Sequence, residues 1–164
     1  MSNHLEREQT NNMICNLVSK ILRYKLNANK DIDCINPISD LFKGKKKTNV
    51  LLEDFILRLN KYLKFEFNTI VIAMILLERF CEKNKFCINE FIVHRLVLVS
   101  LLIAIKFNED KHYTNKFVAK VGGVKVKNLN LMESNFLKSI DYSIYVEYDS
   151  LNVYWEKNYK KCMK

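Results

Sequence analysis

The chain has 164 residues and 49% of them are hydrophobic, which suits one domain with a substantial core and argues against a disordered chain. With only three glycines and one proline it lacks the turn residues that a sandwich or barrel needs, so the composition predicts an all-α fold with short connections. The net charge of +9 comes from 27 basic and 18 acidic residues, and only five of the basic residues are arginine, so the excess is more typical of a solvated surface than of a nucleic-acid reading surface.

Cysteine usage indicates a reducing compartment. The number of cysteines is odd, no C-x-x-C pair occurs and the N-terminus does not read as a signal peptide, so we expect an intracellular protein, cytoplasmic, nuclear or both. Cys81 and Cys87 flank a helix end, but no histidine lies at ligand spacing from them, which favours buried or idle thiols over a metal site. The remaining cysteines are Cys15, Cys34 and Cys162.

The first 47 residues predict a flanking helix followed by a linker. Apolar residues recur at helical spacing up to residue 26, and the polar stretch 27–39, which contains Pro37, is interpreted as a connection. Leu41 and Phe42 are expected to dock back onto the core. The basic turn Lys45–Lys47 is interpreted as solvated, in preference to a phosphate-binding or nuclear-targeting role. The apolar stripe of the helix consists of Ile14, Leu17, Val18, Ile21 and Leu22, with Lys25 in the next position.

The stretch 96–105 is apolar at every position except Ser100, which is typical of a helix buried on all sides. A membrane span needs roughly 20 such residues, and charged residues bound this shorter run, so we expect the central helix of a soluble core. Ser100 and Ala104 lie four residues apart on one face, where another helix could approach closely.

Four more helices are predicted around this central one. Two precede it, the first capped by Thr48 or Asn49 and the second by Asn68 or Thr69, while Asn89 is expected to cap the central helix itself. A short helix opens at Thr114 and stops at the glycine pair 122–123, and another runs from about 125 to 140. Residues 142–146 are expected to be extended, and 148–159 to form a closing helix.

No catalytic pattern is apparent. The motifs H-E-x-x-H, G-x-S-x-G and G-x-x-x-x-G-K-[ST] do not occur, and the adjacent acids Glu109 and Asp110 would point apart on a helix. The sequence therefore predicts a protein that is not an enzyme and needs no cofactor.

Three segments carry a resemblance to a known family: DFILRLNKYLKFEFNTIVIAMILLERF (54–80), HRLVLVSLLIAIKFNEDKHYTNKFVAKVGG (94–123) and LNLMESNFLKSIDYSIYV (129–146). They contain five short motifs, in chain order: H-R at 94–95, A-x-K-F at 104–107 followed by acids, H-Y-x-N at 112–115, A-K-V-G-G at 119–123, and E-x-x-F-L at 133–137 on a predicted helix. Over about residues 48–160 the chain resembles single-box cyclins of the phosphate-pathway, or P/U-type, group. The resemblance implies a five-helix cyclin box around a buried third helix at 48–146, an N-terminal flanking helix and linker at 1–47, and a C-terminal helix at 147–164.

This resemblance implies a regulatory subunit that binds a cyclin-dependent protein kinase and activates it by positioning the kinase's regulatory helix. In the family, a lysine that ends the third helix and a glutamate in the fifth grip the kinase, and the matching residues here are Lys106 and Glu133. From the residues alone, an ordinary ion pair within the chain is the alternative. The apolar residues that the resemblance assigns to the interface are Ile103, Phe107, Leu137, Tyr142 and Ile144.

The second hypothesis is a helical adaptor or a nucleic-acid-binding module with the same fold, as in transcription factors. Nucleic-acid binding favours basic residues gathered with aromatics on one face, whereas the lysines here are scattered, with clusters only at 43–47 and 157–164. A substrate-docking run of the M-R-x-x-L type is absent from VLLEDFILRL (50–59), so recruitment through such a run is not expected. No membrane contact is predicted, and the sequence gives no indication about self-association.

Overall fold

The computed structural model describes residues 2–32, 37–44 and 48–162, and within these ranges the chain forms eight helices and no strand. The all-α prediction is confirmed. The helices are α1 (Ser2–Asn29), α2 (Pro37–Phe42), α3 (Leu52–Leu63), α4 (Phe67–Lys83), α5 (Val93–Asn108), α6 (Asn115–Gly122), α7 (Val126–Ser139) and α8 (Tyr148–Cys162).

Helix α5 is the centre of the fold, as its apolar sequence predicts. Every residue from Leu96 to Ile105 is buried, and the small residues Ser100 and Ala104 are both 0% exposed. The most extensive helix–helix contact in the molecule joins α5 to α4, and α5 also packs against α6 and α7. The five helices from α3 to α7 therefore match the predicted number between residues 48 and 140.

The flanking helices pack on this core. The C-terminal part of α1 buries Val18, Leu22 and Leu26 and contacts α3 and α8, and Arg23 ties it to Glu53 of α3 at 3.0 Å. Helix α8 continues to Cys162, beyond the predicted end at residue 159.

Several local predictions are confirmed and others are wrong. Thr114 caps α6, because its hydroxyl oxygen accepts a hydrogen bond from the Phe117 amide at 3.1 Å, and Gly123 ends that helix with a left-handed φ of 69°. The predicted cap of α4 at residues 68–69 is wrong, since the helix already begins at Phe67. The predicted cap of α5 is also wrong, since Asn89 accepts a hydrogen bond from Phe91 in the turn before the helix.

The stretch 27–39 is not entirely a connection, because α2 begins at Pro37. Proline fits the first position of a helix, where its missing N–H costs nothing. Phe42, at the end of α2, is buried and packs edge-on against Phe80 at 5.1 Å between ring centroids, so the expected docking is confirmed for this residue. The basic turn Lys45–Lys47 and Cys34 lie outside the described residues, and the domain boundaries at 48 and 147 stay predictions.

Candidate functional site

The side chains of Lys106 and Glu133 meet at the surface where α5 ends against α7. The Lys106 Nζ atom donates to both carboxylate oxygens of Glu133, at 2.8 Å and 3.1 Å. The lysine side chain is 43% exposed and the glutamate side chain 17% exposed. The two residues that the family resemblance singled out are thus adjacent and accessible, and in this chain they form an ion pair.

Two asparagines complete this polar cluster. Asn115, in the first turn of α6, donates from its side-chain amide to Glu133 at 3.2 Å and to the side-chain oxygen of Asn130 at 2.7 Å. A carboxylate accepts about four hydrogen bonds and an ammonium donates three, so the recorded bonds leave capacity on both Glu133 and Lys106. Asn115 and Asn130 were not predicted as site residues; the H-Y-x-N motif contains Asn115, whereas no sequence signal marks Asn130.

The five apolar residues predicted to surround the pair differ in exposure. Phe107 is 49% exposed and Tyr142 is 61% exposed, so both aromatic side chains reach solvent. Phe107 follows Lys106 at the end of α5, and Tyr142 lies just after α7, the helix that carries Glu133. Leu137 and Ile144 are half-buried and pack against the core. Ile103 is only 3% exposed and belongs to the core. Its role in contact with a kinase stays a prediction.

The backbone after α7 holds Tyr142 in place. Asp141 and Tyr142 both have left-handed φ angles, 54° and 57°, so the chain turns here and the prediction of an extended segment from residue 142 is wrong at its first residue. The Tyr142 amide donates to the Leu137 carbonyl at 2.9 Å. Arg79 of α4 then donates to the carbonyl oxygens of Ser143 and Tyr145, at 2.9 Å and 2.8 Å. The exposed tyrosine is therefore carried by a hydrogen-bonded turn.

The acidic pair Glu109 and Asp110 does not form a two-carboxylate site. The Glu109 carboxylate is turned inward near Thr69 at the start of α4, and burial raises its pKa above the usual value. Asp110 is exposed. The two carboxyls thus lie in different surroundings, although the pair follows the end of α5 and is not on a helix as the prediction assumed.

Within the described ranges, no three His, Cys, Asp or Glu side chains lie together in an arrangement that could hold a metal ion. None of the described helices is both long enough and apolar enough to cross a membrane.

Comparison with known proteins places the chain in a family. The sequence model of the Cyclin family matches residues 3–144. Curated relatives include Cyclin-U4-3 of Arabidopsis thaliana, 34% identical over 114 residues that make up 69% of this chain and 52% of the relative. Cyclin-U4-1 of the same plant is 32% identical over 70% of this chain and 57% of its own length. Cyclin-P3-1 of Oryza sativa subsp. japonica is 27% identical over 84% of this chain and 60% of its own length.

The chain therefore spans between 52% and 60% of the length of these three relatives. The family match covers most of α1 and all of α2 to α7, so it includes both the buried central helix and the cluster around Glu133. The relatives carry U-type and P-type names, in agreement with the resemblance read from the sequence. The chain belongs to the cyclin family and to its P/U-type group.

Proposed function

We propose that this chain is the regulatory subunit of a cyclin-dependent protein kinase and that the kinase docks on the surface around Lys106 and Glu133. The observation that carries the proposal is the Lys106–Glu133 pair, in which the lysine is exposed and the glutamate half-buried, with Phe107 on the same helix end as Lys106 and Tyr142 on the turn that follows α7. Exposed aromatic rings are enriched at protein interfaces, and charges beside them that complement a partner's charges fix its register.

The cluster has the hydrogen-bonding groups to hold a partner's helix end. Helix termini expose backbone N–H and C=O groups that lack partners within the helix. Lys106 supplies donors for such carbonyls and Glu133 supplies acceptors for such N–H groups. Asn115 already bonds Glu133, so the carboxylate is held in position before a partner arrives.

Binding there activates the kinase by moving its regulatory helix, so that the glutamate of that helix pairs with the lysine that anchors ATP. In this mechanism the chain contributes position and no catalytic group. A location inside the cell, in the cytoplasm, the nucleus or both, belongs to the same proposal.

The test measures protein phosphorylation by purified cyclin-dependent kinases, each alone and with this chain. We expect at least one kinase to bind the chain and to gain activity. The Lys106→Gln and Glu133→Gln variants should each weaken binding by about 2 kcal/mol, or about thirtyfold, because the group that remains at the interface loses its charged partner.

The matched control is Lys160→Gln. Lys160 is exposed and lies in the last turn of its helix, as Lys106 does, and α8 carries none of the proposed docking residues. The control substitution should leave kinase binding unchanged. Equal effects of Lys160→Gln and Lys106→Gln would contradict the proposed docking surface.

The adaptor or nucleic-acid hypothesis makes the opposite prediction. Tight, salt-sensitive binding of DNA or RNA that persists in Lys106→Gln and Glu133→Gln, without activation of any kinase, would favour it. The described structure does not favour this hypothesis, since exposed lysines occur on many helices, including Lys61 of α3, Lys116 of α6, Lys138 of α7 and Lys160 of α8.

A further inference from the structure

A large open cleft lies beside the N-terminal half of α1. Its walls are the N-terminal half of α1, the C-terminal end of α3 and the turn that leads into α4, and its volume is about 1100 Å³. Small-molecule pockets are typically about 300–1,000 Å³, so this cleft has room for a short peptide segment. The side chains of residues 3–10 are all exposed, so this part of α1 stands free of the core and forms one wall.

The cleft is lined by more positive than negative side chains. Four cations, Arg7, Lys61, Lys64 and Lys111, face two acids, Glu8 and Glu66, which gives an excess of two positive charges (four minus two). Ile14, Leu57 and Phe65 supply an apolar floor. The charge excess favours a ligand that carries carboxylates, and the floor favours one that also carries apolar side chains.

The buried side-chain amide of Asn60, beside the cleft, has an oxygen that accepts no hydrogen bond. Asn60 is only 7% exposed, and its side-chain nitrogen donates to the side-chain oxygen of Asn12 at 3.3 Å. The side-chain oxygen of Asn60 is buried without a hydrogen-bond partner. Buried polar atoms in native proteins are nearly always bonded, and this oxygen is shielded from the cleft, so it gains a partner from a ligand only when the Asn60 side chain turns outward. The N–H groups that a peptide backbone carries at regular intervals would then pair with it.

We propose that this cleft binds an acidic peptide segment of a protein partner, with its backbone against Asn60 and its carboxylates against the basic rim. Neither Lys106 nor Glu133 lines the cleft, and the proposal does not depend on kinase binding. A nucleic acid fits less well, because base stacking needs accessible aromatic rings. Among the described residues that line the cleft, Phe65 is only 2% exposed, which leaves Phe67, 38% exposed and packed edge-on against Trp155, as the one phenyl ring that a base could reach.

The experiment uses the full chain and a fluorescein-labelled peptide in which glutamate and aspartate alternate with leucine. Fluorescence anisotropy should show binding of this peptide at low ionic strength, and a peptide with glutamine and asparagine in place of the acids should bind about tenfold more weakly. In a titration followed by nuclear magnetic resonance, the side-chain amide of Asn60 should shift together with the backbone amides of Lys64 and Lys111.

Variants then test the cleft itself. The triple variant Arg7→Gln/Lys61→Gln/Lys111→Gln should bind the acidic peptide about tenfold more weakly, since three rim charges are removed. The control triple variant Lys127→Gln/Lys138→Gln/Lys160→Gln removes the same charge from exposed positions on α7 and α8 and should bind as the wild type does.

Asn60→Leu should also weaken binding while leaving the rim charges in place, and its melting temperature shows whether it folds. If Asn60→Leu does not fold, the triple variant of the cleft rim, Arg7→Gln/Lys61→Gln/Lys111→Gln, decides. The proposal is overturned if the acidic peptide does not bind, if both triple variants lose affinity equally, or if polyuridylate binds more tightly than the peptide does.

Discussion

The contact between Gly122 and Leu98 offers a quantitative test of how tightly the central helix is packed. Gly122 is the last residue of α6, and Leu98 lies in α5 with 0% exposure. A Cβ atom added at Gly122 would lie 2.3 Å and 2.8 Å from the two terminal methyl groups of Leu98. Carbon atoms in favourable contact are about 3.5–4.0 Å apart, so Gly122→Ala forces Leu98 to move.

The cost follows from two opposing effects. Overpacking a well-filled core typically costs about 1–3 kcal/mol, and Leu98 has no solvent to turn into because it is fully buried. Replacing glycine by alanine within a helix gains roughly 0.5–1 kcal/mol. Steric overlap is the larger effect, so we expect Gly122→Ala to lower the free energy of unfolding by about 1–2 kcal/mol.

A double-mutant cycle isolates the contact. Leu98→Ala alone should cost about 2–5 kcal/mol, since it leaves a cavity. In that background the added methyl at Gly122 no longer meets the leucine, so Gly122→Ala should become neutral or stabilising by up to about 1 kcal/mol. Urea denaturation of the four proteins, followed by circular dichroism, gives the coupling energy.

The decisive quantity is the difference between the two backgrounds. If Gly122→Ala costs the same with leucine and with alanine at residue 98, the destabilisation does not come from this contact. If Gly122→Ala stabilises the wild type, α5 and α6 are less closely packed than the structure shows.

Three other predictions follow from the same core. Gly123→Ala should destabilise by about 1 kcal/mol through its φ of 69° alone, and Gly123→Asn, which tolerates this conformation, should cost less in the same urea assay. Ser100→Leu and Ala104→Leu should each cost about 1–3 kcal/mol by overpacking, and wild-type melting temperatures in both would contradict the buried placement. Burial lowers the pKa of His94, whose Nε2 lies 2.9 Å from the Val50 oxygen, so stability is complete above the unfolded value of about 6.5 and falls as pH drops through the lowered pKa. His94→Gln should reduce that loss below about pH 6.5, whereas a control substitution at the exposed His112 should retain it.

The fold was predictable because its main signals are local. A run of apolar residues from 96 to 105 leaves no polar face for solvent, and a glycine pair after a short helical pattern marks a left-handed stop. The first residue of each helix is harder to predict. The sequence predicts a linker at Pro37 although this residue opens α2, since proline is compatible with both a loop and the first position of a helix.

The candidate site was predictable in part, and the misses have a common cause. Lys106 and Glu133 came from the family resemblance, because 27 positions separate them and no periodicity links residues on different helices. Ile103 lies three residues before Lys106 and so near the same face of α5, yet it is 3% exposed because neighbouring helices cover it, which spacing along the chain does not reveal. Asn130 was missed because its role depends on where α6 places Asn115, which is a property of packing and not of spacing.

The position of the Lys106–Glu133 pair follows from the burial of the helix that carries the lysine. Because α5 is covered from Leu96 to Ile105, its C-terminal end is where its side chains return to solvent, and Lys106 is the first exposed residue there. Helix α7 packs against α5 and brings Glu133 within 2.8 Å of that point. The core thus fixes both charges relative to each other without help from a partner. A surface prepared in this way loses little conformational entropy on binding, which is the physical reason to expect that the pair is used in recognition as well as in stabilising the chain.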